Sequence, residues 1–147
     1  MQQYQAYLTE GNEENTRFQF QSVGKRGVFE KVVFFTPLTC DTFNLSLVDY
    51  DTETGNYNDL SVTDNGDMKE ILVTVISTIH KFMEYNPSKR IFFKGSTPAR
   101  TRLYQIAISK IYYPEQSDLC ISGLRDGQWF SFEPNINFES FLAEKKF

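Results

Sequence analysis

Histidine and cysteine are nearly absent from this chain: one His and two Cys in 147 residues. That scarcity removes most metal and redox chemistry. A structural zinc site needs four Cys or His ligands at short spacings, whereas Cys40 and Cys120 stand alone and far apart in sequence. No metal, cofactor or disulfide framework is therefore expected, and two small buried thiols in a reduced, cytoplasmic protein fit better. Long apolar runs are lacking as well. The most apolar, ILVTVI at 71–76, falls far short of the roughly 20 residues that a membrane helix needs. The start, MQQYQAYLTE, has neither the basic region nor the apolar core of a secretory signal. No repeat, low-complexity tract or linker divides the chain, so residues 1–147 are expected to form a single domain.

What the chain does hold is ordinary globular material, 40% hydrophobic and 23% charged. Fourteen Phe and eight Tyr favour a core containing a sheet, because flat rings suit a pleated, half-buried surface. Residues 16–22, TRFQFQS, alternate apolar and polar as a half-buried strand does, and Gly24-Lys25-Arg26-Gly27 makes a hairpin turn into VFEKVVFF. FNLSLVD is a third strand, and 57–62 pair back as a fourth after the turn TETGN. The period then changes. Met68, Ile71, Leu72, Val75, Ile76, Ile79, Phe82 and Met83 follow helical spacing, with Asp64, Asn65 or Asp67 as the cap and Asn86-Pro87 as the stop. A short strand at 90–94, a helix over about 98–112, and a hairpin around Arg125-Asp126-Gly127 follow. Phe138, Phe141 and Leu142 form one stripe, which predicts a short last helix capped by Asn137. The expected class is α+β: an antiparallel N-terminal β-meander, then helix-strand-helix, a β-hairpin and a short C-terminal helix, with the helices packed on the sheet.

Charge is unevenly spread. Residues 41–70 hold eight acids against one lysine, a balance of −7, while 81–110 hold seven bases against one acid, a balance of +6. The net charge of −4 argues against general coating of nucleic acid and leaves room for one local basic site. That site falls at 92–104, FFKGSTPARTRLY, where a strand hands over to a helix. Thr97 with Pro98 is a good helix start, and free amides plus the helix dipole favour an anion there. Wound at 100° per residue, Ala99, Leu103, Ile106, Ala107 and Ile111 share an apolar sector that also contains Arg100, with Arg102 at its margin and Thr101 facing away. A guanidinium in that position needs an acceptor. Two acceptors are open to it: a ligand phosphate or carboxylate, and an acid of the chain itself from the 41–70 cluster. In the ligand case Gly95 permits close approach, Ser96 and Thr97 donate hydrogen bonds, Arg100 clamps the anion, and Arg102 and Lys94 are outer charges.

The block F-x-G-S-T-P-A-R-T-R-L-Y resembles a family of small uncharacterised bacterial proteins, catalogued as a domain of unknown function. The D-N-G-D that opens a helix containing Thr74-Val75, the hairpin at 22–27 and FNLSLVD are similar to it too, so the likeness covers nearly the whole chain. The resemblance implies a stand-alone bacterial domain and supplies no activity, cofactor or catalytic residue.

Enzyme motifs are not found. Gly95 lacks the continuation of a Walker loop, no pair of acids one residue apart follows it as a nucleotidyltransferase needs, and Ser96 has no G-x-S-x-G elbow. His80 belongs to the preceding helix and reads as a flanking or surface side chain rather than a catalytic base. VDYDTETGNYND has the alternate acids of a calcium loop, but Thr54 takes the glycine position and Leu60 that of the bidentate acid. Trp129, Phe130 and Phe132, with Tyr112 and Tyr113, read as strand cross-pairs in preference to a base-stacking platform, and an outward Trp129 marks a partner surface. The leading expectation is a binding module with a phosphate, nucleotide or nucleic-acid contact at 95–102, with no assigned catalytic residue. The alternative is a protein interaction module, such as one partner of a toxin–antitoxin or phage-defence pair, or a homo-oligomer in which acidic and basic segments meet.

Overall fold

The computed structural model describes residues 5–58 and 66–146. Among these described residues nine strands form one mixed sheet in the order β1-β2-β3-β4-β6-β9-β7-β8, with β5 added beside β4. The strands are β1 (Glu10–Gly11), β2 (Arg17–Gly24), β3 (Gly27–Pro37), β4 (Thr42–Tyr50), β5 (Tyr57–Asn58), β6 (Arg90–Phe93), β7 (Leu119–Arg125), β8 (Gln128–Ser131) and β9 (Ser140–Lys145), and the two helices are α1 (Met68–Tyr85) and α2 (Pro98–Ile111). The class is α+β. The meander β2-β3-β4 is antiparallel, and its first turn closes with Gly24 opposite Gly27, whose φ of 117° suits only glycine. Positions 59–62 of the expected fourth strand, and the capping candidates Asp64 and Asn65, lie outside the described residues.

Both helices lie on one face of the sheet. On α1, Phe82 stacks on Phe35 of β3, ring centroids 4.5 Å apart, and sits 4.8 Å from Phe43 of β4. On α2, Tyr104 meets Phe93 of β6 edge-on, and Phe93 stacks on Phe141 of β9 at 5.4 Å. Odd-numbered residues of β3 therefore face the helices. Phe34 points the other way, under the Arg17 guanidinium, with Tyr57 beside it.

The C-terminal helix expected from Phe138, Phe141 and Leu142 is not there. Residues 140–145 are instead β9, in the middle of the sheet between β6 and β7. A strand buried on both faces shows an unbroken apolar run rather than alternation, and a run this short also fits a helical stripe. Ser140, Phe141, Leu142 and Ala143 are all buried. β9 makes the sheet continuous. Phe138 caps it by lying over Gly123, where an added Cβ would come within 2.2 Å of the ring. Asn137 caps no helix; its Oδ1 accepts from Arg102 Nη1 at 3.0 Å.

Two smaller expectations also change. Cys40 and Cys120 are exposed, not buried. Cys40 lies in the β3–β4 loop, and β7 turns Leu119 and Ile121 inward, which sends Cys120 to the open face. Asp67 occupies the N-cap position of α1, but its side chain makes no capping bond. It is buried, and its Oδ2 accepts from the Tyr7 and Ser22 hydroxyls. Among the described residues no helix is long and apolar enough to cross a membrane.

Candidate functional site

β4 and β6 run parallel, joined through α1, and pair only from Thr42↔Arg90 to Asn44↔Phe92. β4 then runs on to Tyr50, while the chain leaves β6 at Phe93 and turns through Lys94, Gly95 and Ser96 into α2. This departure opens the sheet at the carboxyl ends of two parallel strands, a place where α/β sheets commonly leave a crevice.

The turn is tightly built. Thr97 is extended (φ −137°, ψ 161°), and its Oγ1 accepts from the Arg100 N–H at 3.2 Å, the capping role expected of it. The buried Gly95 N–H donates to Thr101 Oγ1 at 3.0 Å. A Cβ on Gly95 would fall 2.4 Å from the Thr101 nitrogen, so the close approach that this glycine permits is to α2 itself. That contact also sets the rotation of the helix. Thr101, Gln105, Ala107 and Ile108 are buried, while Leu103 and Ile106 are 47% and 44% exposed. The apolar sector centred on Leu103 and Ala107 is thus displaced by roughly 100°, about one residue of helical rotation. Thr101 faces inward, not away, and Arg100 lies half-buried on the flank of the packed face.

Two clefts flank the turn, and Lys94, Gly95 and Ser96 line both. The narrower, about 280 Å³, lies between β4, the start of α1 and the start of α2. Arg100 is at its mouth and donates through Nη1 to Ser96 Oγ. On its floor Lys31, 7% exposed, is ion-paired with Asp49 directly across the strands. Tyr104 also lines it. Burial pushes the Tyr104 hydroxyl up to about 12, against the opposing pull of the nearby Arg100 charge. Among the described residues Asp49 is the one carboxylate in this cleft, and Lys31 holds it.

The wider cleft, about 590 Å³, lies on the other side of the turn, between α2 and residues 137–139. Arg102 and Lys94 line it with Gln105, Phe138 and Glu139. The six residues singled out from the sequence therefore gather at one turn and divide between two clefts, Arg100 in the narrow one and Arg102 in the wide one. Lys31, Tyr104 and Gln105 escaped sequence reasoning, whereas Asp49 belongs to the 41–70 acids offered there as an internal acceptor and does line the cleft of Arg100. Gln105 stands at i+4 from Thr101 and i−3 from Ile108, the spacing of a buried face, but Leu103 and Ile106 advertised a rival face.

The other candidates lie apart. His80 is exposed on α1. Asp51 turns its carboxylate back onto the Glu53 and Thr54 amides, and the first of these bonds is the main cause holding its pKa below the ordinary carboxylate range. Phe130 of β8 and Phe132, just past the end of that strand, share a side, yet only Phe132 is buried. Trp129 and Phe130 are 43% and 47% exposed on an outer strand that the helices do not cover.

Residues 3–146 match the model of a family of unknown function (DUF6934). No curated protein and no solved structure matches the chain.

Proposed function

The chain belongs to the DUF6934 family, which brings no activity with it, and from its own clefts we propose that it is a binding module for a phosphate-bearing ligand held at the 95–102 turn. The observation that carries this reading is the pair of bases in the wider cleft. Among the described residues neither Lys94 nor Arg102 has a carboxylate within ion-pair distance, and Arg102 spends one donor on the neutral Asn137 Oδ1. A guanidinium keeps several further donors in a planar fork suited to phosphate. The first turn of α2 adds the positive end of its dipole, and Arg100 adds a third positive charge across the turn.

The test is titration of inorganic phosphate and pyrophosphate at low ionic strength, followed by calorimetry or amide chemical shifts. The wild-type protein binds, and Lys94→Glu/Arg102→Glu, with an unchanged circular dichroism spectrum, loses about tenfold or more in affinity. Absence of binding to the wild type, or equal binding by the charge-reversed variant, refutes the reading.

A second reading, a protein interaction module, is favoured by the exposed Trp129 and Phe130 on β8. Light scattering and affinity capture with Trp129→Ser/Phe130→Ser separate the two: an interaction module loses its partner or its second copy, while phosphate binding is unchanged.

A further inference from the structure

The wider cleft holds a group that anion binding leaves unexplained. Gln105 is 5% exposed, and its Nε2 donates to the Glu133 carbonyl at 3.2 Å. That bond orients the amide and leaves Oε1 as the spare atom, buried and with no hydrogen-bond donor. Native interiors rarely leave such an acceptor unmet, because water has been removed from it and nothing has replaced the lost bond. Gln105 stands two turns into α2 on the wall of the same cleft that Arg102 and Lys94 charge.

Resting on the anion reading above, we infer that this cleft takes an organic monophosphate of nucleotide size whose far end presents an N–H donor to Gln105 Oε1. Its volume is within the range of small-ligand sites, and Pro98, Ala99 and Phe138 supply apolar wall for a ring. The charge argues for one phosphate rather than several. Two bases face the cleft, and Glu139, whose carboxylate accepts from the Asp126 N–H, is among its lining residues and offsets part of their charge. Recognition through a single buried acceptor is also selective. A ligand without the donor leaves Oε1 as unpaired as it is in the free protein, whereas one that has it supplies the missing bond.

The experiment titrates wild-type protein with adenosine, cytidine and guanosine 5′-monophosphates, with inorganic phosphate, and with purine riboside 5′-monophosphate, which is the adenine nucleotide without its amino group. At least one amino-bearing nucleotide is expected to bind about tenfold tighter than phosphate. Gln105→Leu removes that advantage and leaves phosphate affinity unchanged. If the adenine nucleotide is the tight one, purine riboside monophosphate falls back toward phosphate. In the wild type the Gln105 side-chain amide resonance moves with the tight nucleotide and not with phosphate, a readout that needs no substitution. Nucleotides that bind no tighter than phosphate, a Gln105→Leu loss shared equally by phosphate, or an unmoved Gln105 resonance overturns the inference and leaves the phosphate site standing. Absence of binding even to phosphate overturns the anion reading itself.

Discussion

Replacing Gly95 by alanine isolates the contact on which the turn depends. The added methyl carbon would lie 2.4 Å from the Thr101 nitrogen and 2.6 Å from both the Arg100 carbonyl carbon and its Cβ. Ordinary carbon contacts are about 3.5–4.0 Å, and here the obstructing atoms are mostly backbone, so relief requires α2 to move rather than a side chain to rotate. Overpacking of this kind costs about 1–3 kcal/mol. The Gly95 N–H bond to Thr101 Oγ1, 3.0 Å long, is stretched by the same movement and adds about 0.5–1.5 kcal/mol. Against this, alanine restricts the unfolded chain and returns about 0.4–1 kcal/mol. The net is a destabilisation of about 2 kcal/mol, or a fall in Tm of about 4–8 °C for a chain of this size. Differential scanning calorimetry and urea unfolding followed by far-UV circular dichroism measure it. Gly127→Asn serves as the contrast: φ is 77° and the space is open, a conformation that asparagine tolerates, so a change within about 0.5 kcal/mol is expected. A Gly95→Ala protein as stable as the wild type would show that the turn does not seat α2.

Two further outcomes check other parts of the structure. Ile108→Ala, at a position 0% exposed, should cost about 2–5 kcal/mol, whereas Leu103→Ala, 47% exposed, should stay within about 0.5 kcal/mol; chemical denaturation in which Leu103 proved the costlier of the two would restore the face expected from the sequence. Burial first, and then the hydrogen bond to Asp67, push the Tyr7 hydroxyl up to about 12, and burial pushes Tyr104 to about 12 as well. Both folded values exceed that of a free phenol, near 10, so the stability these groups contribute is complete below about pH 10 and is lost as pH rises toward 12. Tyr7→Phe should shrink that alkaline loss and lower stability at neutral pH; an unaltered pH profile of urea midpoints would remove Tyr7 from the account.

Local order was legible wherever neighbouring residues decide it. The 24–27 turn, the α1 stripe from Met68 to Met83, and the start of α2 at Thr97-Pro98 follow from φ preferences, helical spacing and capping chemistry, all properties of a few adjacent residues. The candidate site was legible to the same depth. Lys94, Gly95, Ser96, Thr97, Arg100 and Arg102 do share one turn, since sequence adjacency guarantees it. Which cleft each lines was not, because that depends on how α2 is rotated against the sheet.

By itself, the sequence determined the strands of the meander, the α1 helix, the basic turn and the α+β class, since each rests on contacts spanning a few residues. Tertiary structure alone decided that 140–145 become a central strand, that α2 buries Thr101, Gln105 and Ile108 instead of Leu103 and Ile106, and that Lys31 meets Asp49. A short apolar run has nearly equal claims on helix and strand, and a helix apolar on several sides has more than one face to bury. Such near-ties are broken by the partner supplied from far along the chain: the gap between β6 and β7 for 140–145, and the bare backbone of Gly95 for α2.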